Sequence, residues 1–154
     1  MSERTHLPAD PSYEARIRDS FDRQGAMATI GATLDLVEPG HVVVGLPHSP
    51  RIGQQHGFVH AGMLAAALDT ACGYAASTLM PADAGVLTIE FKINLLAPAR
   101  GPHLRCEGQV AKAGRTISVV DGRAWGQAPD GAPVLVATMT ATVMTITGRD
   151  GVRH

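Results

Sequence analysis

Along residues 87–95 the side chains alternate: Leu87, Ile89, Phe91, Ile93 and Leu95 fall on one side, Thr88, Glu90, Lys92 and Asn94 on the other. A period of two predicts a strand with one buried face. Residues 103–111 repeat it, with Leu104, Cys106, Gly108 and Val110 on one side. Residues 116–125 and 134–147 complete a set of four strands, separated by turns at Lys112-Ala113-Gly114-Arg115 and at the Pro- and Gly-containing stretch 128–133. Upstream, residues 28–37 and 41–46 read as two further strands joined by a turn at Glu38-Pro39-Gly40. Before them, residues 12–24 suit a short helix with Ser12 as its N-cap. Tyr13, Ile17 and Phe21 recur there at helical spacing, and Gly25 ends it. Residues 1–11 read as a loose arm closed by Pro8 and Pro11.

One stretch breaks the strand pattern. After a loop rich in Pro, Gly and Gln (residues 47–57), about residues 60–79 are mostly alanine, leucine and methionine, and Pro81 stops them. They predict one long, largely buried helix. Gly62, Ala65, Ala66, Asp69, Gly73 and Ala76 recur on it at steps of three and four, a stripe narrow enough for another backbone to approach. Asp69 stands in the middle, with no basic residue from position 60 to 74. A carboxylate buried without a partner is costly, which makes it the residue to explain. One apolar helix with one antiparallel sheet is an α+β arrangement in which the sheet curls round the helix. The domain then spans residues 25–150, preceded by the arm and short helix of residues 1–24.

Composition narrows the function. Thirteen basic residues against fourteen acidic ones, with aromatics at 4%, provide neither the charge nor the stacking surface of a nucleic-acid binder. The apolar run 61–80 is long enough to span a bilayer, but it is alanine-rich and contains Asp69, so no membrane partner is expected. The polar, partly acidic N-terminus is not a secretory signal. Cys72 and Cys106 lie far apart with no metal-ligand spacing, and both read as reduced thiols of a cytoplasmic protein.

The spaced residues before and within the long helix resemble the hotdog-fold acyl-CoA thioesterases, in particular the small enzymes of the phenylacetate-pathway type. The family's pattern is Asn or Gln, two residues, Gly, two residues, His-Gly-Gly, then an Asp or Glu nine residues beyond the His. Here it reads Gln54, Gly57, His60-Ala61-Gly62 and Asp69. Residues 88–101 are similar to the family's central strand ending in Pro-Ala-Arg or Pro-Ala-Lys, and residues 112–125 to the strand pair that follows. The likeness covers about residues 25–147; Ala61 departs from it, standing where many members have glycine.

The chemistry follows from residue types, and the roles from the resemblance. A helix beginning near His60 leaves the N–H groups of Ala61 and Gly62 without intrahelical acceptors, at the positive end of the helix dipole. They would form an oxyanion hole for a thioester, Ala61 leading. Asp69 would act as general base for water or as direct nucleophile; the plain alternative is a polar helix residue bonded to a nearby hydroxyl or to solvent. Its carboxylate and the amides opening its own helix are expected to converge on one thioester carbon. Gln54 would hold the carbonyl or the water, from the subunit opposite Asp69. His60 is expected to orient the loop through bonds to backbone, and Thr88 to stand near the water. Arg115, Lys112 and Arg100 are the candidates for the phosphates of coenzyme A, which enters as part of the substrate; no cofactor or metal is expected. A pure binder of acyl-CoA or acyl carrier protein is the alternative function, and a hydratase would need a different Asp/His pairing. Residues 87–95 left as an open sheet edge imply a homodimer or homotetramer with shared sites. By analogy the acyl group is aryl or medium-chain, in a pocket shaped by residues such as Met63, Tyr74 and Phe58.

Overall fold

A computed structural model describes residues 6–154. Two short helices, α1 (Tyr13–Asp22) and α2 (Gly25–Ile30), precede strands β1 (Thr33–Glu38) and β2 (His41–Pro47). The long helix α3 (Ala61–Ser77) follows, then β3 (Gly85–Leu95), β4 (His103–Lys112), β5 (Ile117–Gln127) and β6 (Pro133–Ile146). All six strands pair antiparallel in the order β1-β2-β4-β5-β6-β3. The sheet wraps α3, which packs on β2 through β6. This is the hotdog fold. Among the described residues no helix is long and apolar enough to cross a membrane.

Residues 28–30, expected to open a strand, are helical instead. Met27 and Ile30, three apart, are both buried against the core, which alternation could not achieve, and Gly31 ends α2 in the left-handed region at φ +72°. Gly25 therefore opens a second helix as well as following the first. Ser12 makes no side-chain cap. Its N–H instead donates to Asp10 Oδ1 (2.9 Å), and Asp10 also pairs with Arg16. The Arg16 guanidinium reaches on to the carbonyls of Ser77 and Met80, closing the C-terminal end of α3.

Gly108 sets how closely helix and sheet approach. A Cβ there would stand 2.5 Å from the Ala71 carbonyl oxygen and 2.7 Å from the Cys72 nitrogen, both backbone of α3. The backbone must move to admit even one methyl, so Gly108→Ala is expected to cost about 1–3 kcal/mol. A thermal melt lowered by several degrees would show it. Gly25→Ala, at a position with open space, serves as the control.

Strand β3 contains a bulge that the alternation does not reveal. The register shifts between Thr88, opposite Val143, and Glu90, opposite Thr142. Ile89 is the inserted residue, and beyond it Phe91, Ile93 and Leu95 pair with the buried Ala141, Met139 and Ala137. Thr88 thus shares the helix-facing side with Phe91, whereas a strict period of two separates them. β3 is also the sheet's edge. Leu87, Ile89, Phe91 and Leu95 along it are 40–55% exposed. Beside it, the α3 face formed by Gly62, Ala65, Ala66, Asp69 and Thr70 is exposed or half-buried, while Leu64, Ala67, Leu68 and Ala71 are sealed beneath the sheet. Gly73 and Ala76 of the expected stripe are buried.

Candidate active site

The approach to α3 is a small hairpin. Gly53 bridges Val59, and the Gly57 N–H donates to the Gln54 carbonyl (3.0 Å) across a tight turn that Gly57 closes at φ +84°. The His60 N–H donates to the Ile52 carbonyl (2.8 Å), which locks the hairpin to the start of the helix. His60 is the N-cap. Its Nδ1 accepts from the Gly62 N–H at 2.9 Å, so the ring proton of the neutral imidazole sits on Nε2.

That cap corrects one expectation. The Gly62 amide is already spent on His60 and is not free to hold an oxyanion. Ala61 N–H has no acceptor among the described residues, and it remains the open donor at the helix terminus. Gln54 supplies a second: its Oε1 accepts from the His56 N–H, which leaves the NH2 group unspent. Both residues line a cavity of about 530 Å³, with Phe58, His60, Leu64 and Leu95. The Arg100 guanidinium stacks 4.5 Å from the centre of the Phe58 ring at this cavity. Removing the cap with His60→Ala is expected to cost about 1 kcal/mol, read as a lowered denaturation midpoint.

Asp69 lies elsewhere. It lines a second cavity of about 310 Å³, with Gln24, Thr70, Tyr74, Val86, Thr88 and His154. Thr88 Oγ1 donates to Asp69 Oδ1 at 2.9 Å, and Oδ2 has no protein donor among the described residues. Burial raises the carboxyl's pKa above its ordinary value, and the Thr88 bond partly opposes that. No arginine or lysine pairs with it among the described residues. A bond to a hydroxyl, with the other oxygen left to solvent, is also what a plain polar helix residue would show.

The expected convergence does not occur within one chain. Eight residues of helix separate Ala61 from Asp69, about 12 Å along the axis. The basic residues are not one cluster either. Arg100 precedes the His103 end of β4, whereas Lys112 and Arg115 lie at its other end, about 30 Å away. Three polar residues lining the Asp69 cavity have no signal in the sequence: Gln24, Thr70 and His154. Gln24 and His154 come from opposite ends of the chain, and no local spacing connects them. Among the described residues no group of three or more His, Cys, Asp and Glu side chains is placed to share a metal ion.

The hotdog fold thus carries an open donor at the start of its central helix and, within that helix, a carboxylate with no cationic partner among the described residues. Comparison with known proteins gives the family. The thioesterase superfamily model matches residues 56–131. A relative from Halobacterium salinarum, whose name gives it provisionally as an esterase, is 30% identical over 70% of this chain and 74% of its own. A thioesterase family protein from Silicibacter pomeroyi has a similar crystal structure, with TM-score 0.86 and 47% identity over 88% of this chain and 99% of that one. The PaaI protein of E. coli, from the phenylacetic acid degradation operon, shares the fold at TM-score 0.75 and 20% identity, over 89% of this chain and 95% of that one. The chain belongs to the thioesterase superfamily.

Proposed function

We propose that the protein hydrolyses acyl-CoA thioesters at a site completed by two copies of the chain. One observation supports this above the rest. The open Ala61 donor and the Asp69 carboxylate occupy separate cavities on the same uncovered face of α3, beside an unpaired, apolar sheet edge. Joining two β3 edges antiparallel would turn the helices head to tail, and the Ala61 end of one would meet Asp69 of the other. The thioester oxygen then lies against the Ala61 N–H and the Gln54 NH2. As general base, Asp69 takes a proton from water as its oxygen attacks the carbonyl carbon. The oxyanion collapses, the C–S bond breaks, and the thiolate of coenzyme A leaves and is protonated. As nucleophile, Asp69 would instead form an anhydride that water opens. Arg100 is the nearest candidate for the coenzyme's phosphates, with Lys112 and Arg115 available only from elsewhere in the assembly. An aryl or medium-chain acyl group, no cofactor and a cytoplasmic setting complete the reading.

Acyl-CoA or acyl-carrier-protein binding without hydrolysis is the second reading, and the Thr88 hydroxyl that already satisfies Asp69 Oδ1 is compatible with it. Release of free thiol from a panel of acyl-CoAs separates the two; no release from any ester would favour the binder. Light scattering should give a homodimer or homotetramer, and a stable monomer would remove the shared site.

The pH profile tests the base. Asp69 works deprotonated, and burial raises its pKa, so kcat/KM should fall on acidification already above the ordinary carboxylate range. Thr88→Val removes the bond that holds this pKa down, so the acid limb should move to higher pH. A limb that stays in place would show that Asp69 does not set it.

A further inference from the structure

Around the Asp69 cavity runs a chain of polar groups that the proposed hydrolysis leaves unused. Ser20, Gln24 and His154 supply it from segments outside residues 56–131, where the family model matches. Gly85 makes room for the last segment: a Cβ there would stand 2.8 Å from the Val152 carbonyl oxygen, so residues 149–154 fold tightly against the start of β3. His154 is thereby brought beside Val86, whose N–H donates to its Nε2 at 3.1 Å.

The direction of the bonds at His154 follows. A backbone amide only donates, so Nε2 is bare and the neutral ring carries its proton on Nδ1. Nδ1–H therefore donates to Ser20 Oγ, 2.8 Å away. Ser20 Oγ stands 3.0 Å from the Tyr74 phenol oxygen, a bond that either hydroxyl can donate. The Gln24 carbonyl oxygen accepts from the Thr70 hydroxyl (3.1 Å), and its NH2 faces the same phenol oxygen at 3.5 Å. With Ser20 as the donor, Tyr74 accepts on both sides and its own proton has no acceptor among the described residues. The side chain is 3% exposed and lines the cavity. Burial pushes the Tyr74 pKa up and brings His154 down to about 4, with Arg16 and Arg23 adding to the latter, so both stay neutral as the relay requires.

We propose that Ser20 donates to Tyr74 and that Tyr74 determines specificity: its phenol proton, aimed by the His154–Ser20 relay, selects acyl groups with a hydrogen-bond acceptor beyond the thioester. The proposal rests on the thioesterase reading, because the acyl group must enter the cavity that holds Asp69. About 310 Å³ is the liquid volume of roughly ten waters, room for an acyl group of on the order of ten non-hydrogen atoms. A plain alkyl chain would leave the buried donor unpaired, whereas a ketone oxygen accepts it.

The probes are oxohexanoyl-CoA isomers with the ketone at the fourth or fifth carbon, set against hexanoyl-CoA. The better ketone should be favoured about tenfold in kcat/KM, and Tyr74→Phe should bring that ratio close to one. Ser20→Ala keeps the phenol but removes its orienting donor, so it should lower the ratio part of the way. Calorimetric binding of the same pair to wild type and Tyr74→Phe reads the preference without turnover. A ratio unchanged by Tyr74→Phe, or wild type favouring hexanoyl-CoA, overturns the assignment. A ketone preference in binding that Tyr74→Phe abolishes, with no ester hydrolysed, would refute the thioesterase reading and leave the Tyr74 assignment standing.

Discussion

Asp69→Asn is expected to lower kcat by about 10²–10⁴-fold, the span usual for losing a positioned general base. The substitution keeps the shape of the side chain and an oxygen that can still accept from Thr88 Oγ1. What disappears is the ability to take a proton or to attack. The fold should survive, because no ion pair depends on this carboxylate among the described residues. Released thiol measured under saturating substrate gives kcat directly. Activity within a few-fold of wild type would exclude Asp69 from the chemistry, whatever else it lines.

Ala61→Pro carries the second large effect, and it isolates a single atom. Ala61 is the first residue of α3, where proline is favoured because the amide hydrogen has no helical acceptor. His60 before it has φ −62° and ψ 134°, the extended geometry that a residue preceding proline prefers. The helix should therefore remain, with circular dichroism unchanged, while the proposed oxyanion hole loses its main donor. Loss of one such donor costs about 10²–10³-fold in kcat, or ~2.7–4 kcal/mol. Coexpressing Asp69→Asn with Ala61→Pro then decides where the site lies. If each site takes its carboxylate from one chain and its amide from the other, a mixed dimer has one site doubly damaged and one intact. The mixed dimer should regain half the activity of wild type, and a randomly paired mixture about a quarter. Sites contained in single chains would stay dead in every mixture.

Much of this was legible in the sequence because it is local. The long helix showed itself as a mostly apolar run, broken by Asp69 and ended by Pro81. The loop motif from Gln54 to Gly62 depends on spacing within nine residues, and strands 103–112, 117–127 and 133–146 follow from alternation and turn residues. What stayed hidden is what tertiary structure decides. The bulge at Ile89 reverses which side chains face the helix, and only pairing with β6 makes it visible. Helix α2 reads as strand because Thr29 and Ile30 are β-branched and six residues are too few for a helical period to show. The Gly62 amide was assigned to substrate although the neighbouring His60 ring is close enough to cap it. The relay through Ser20, Tyr74 and His154 joins positions 134 residues apart, beyond the reach of any window.

The two cysteines give the enzymology a practical advantage. Cys72 and Cys106 are both 0% exposed; burial pushes Cys106 up to about 12 and raises Cys72 as well, so neither offers a thiolate at neutral pH. A disulfide dye added to the folded protein should therefore stay colourless until product appears. Slow yellowing in the absence of any ester would instead report global unfolding, so one cuvette monitors both turnover and the integrity of each variant.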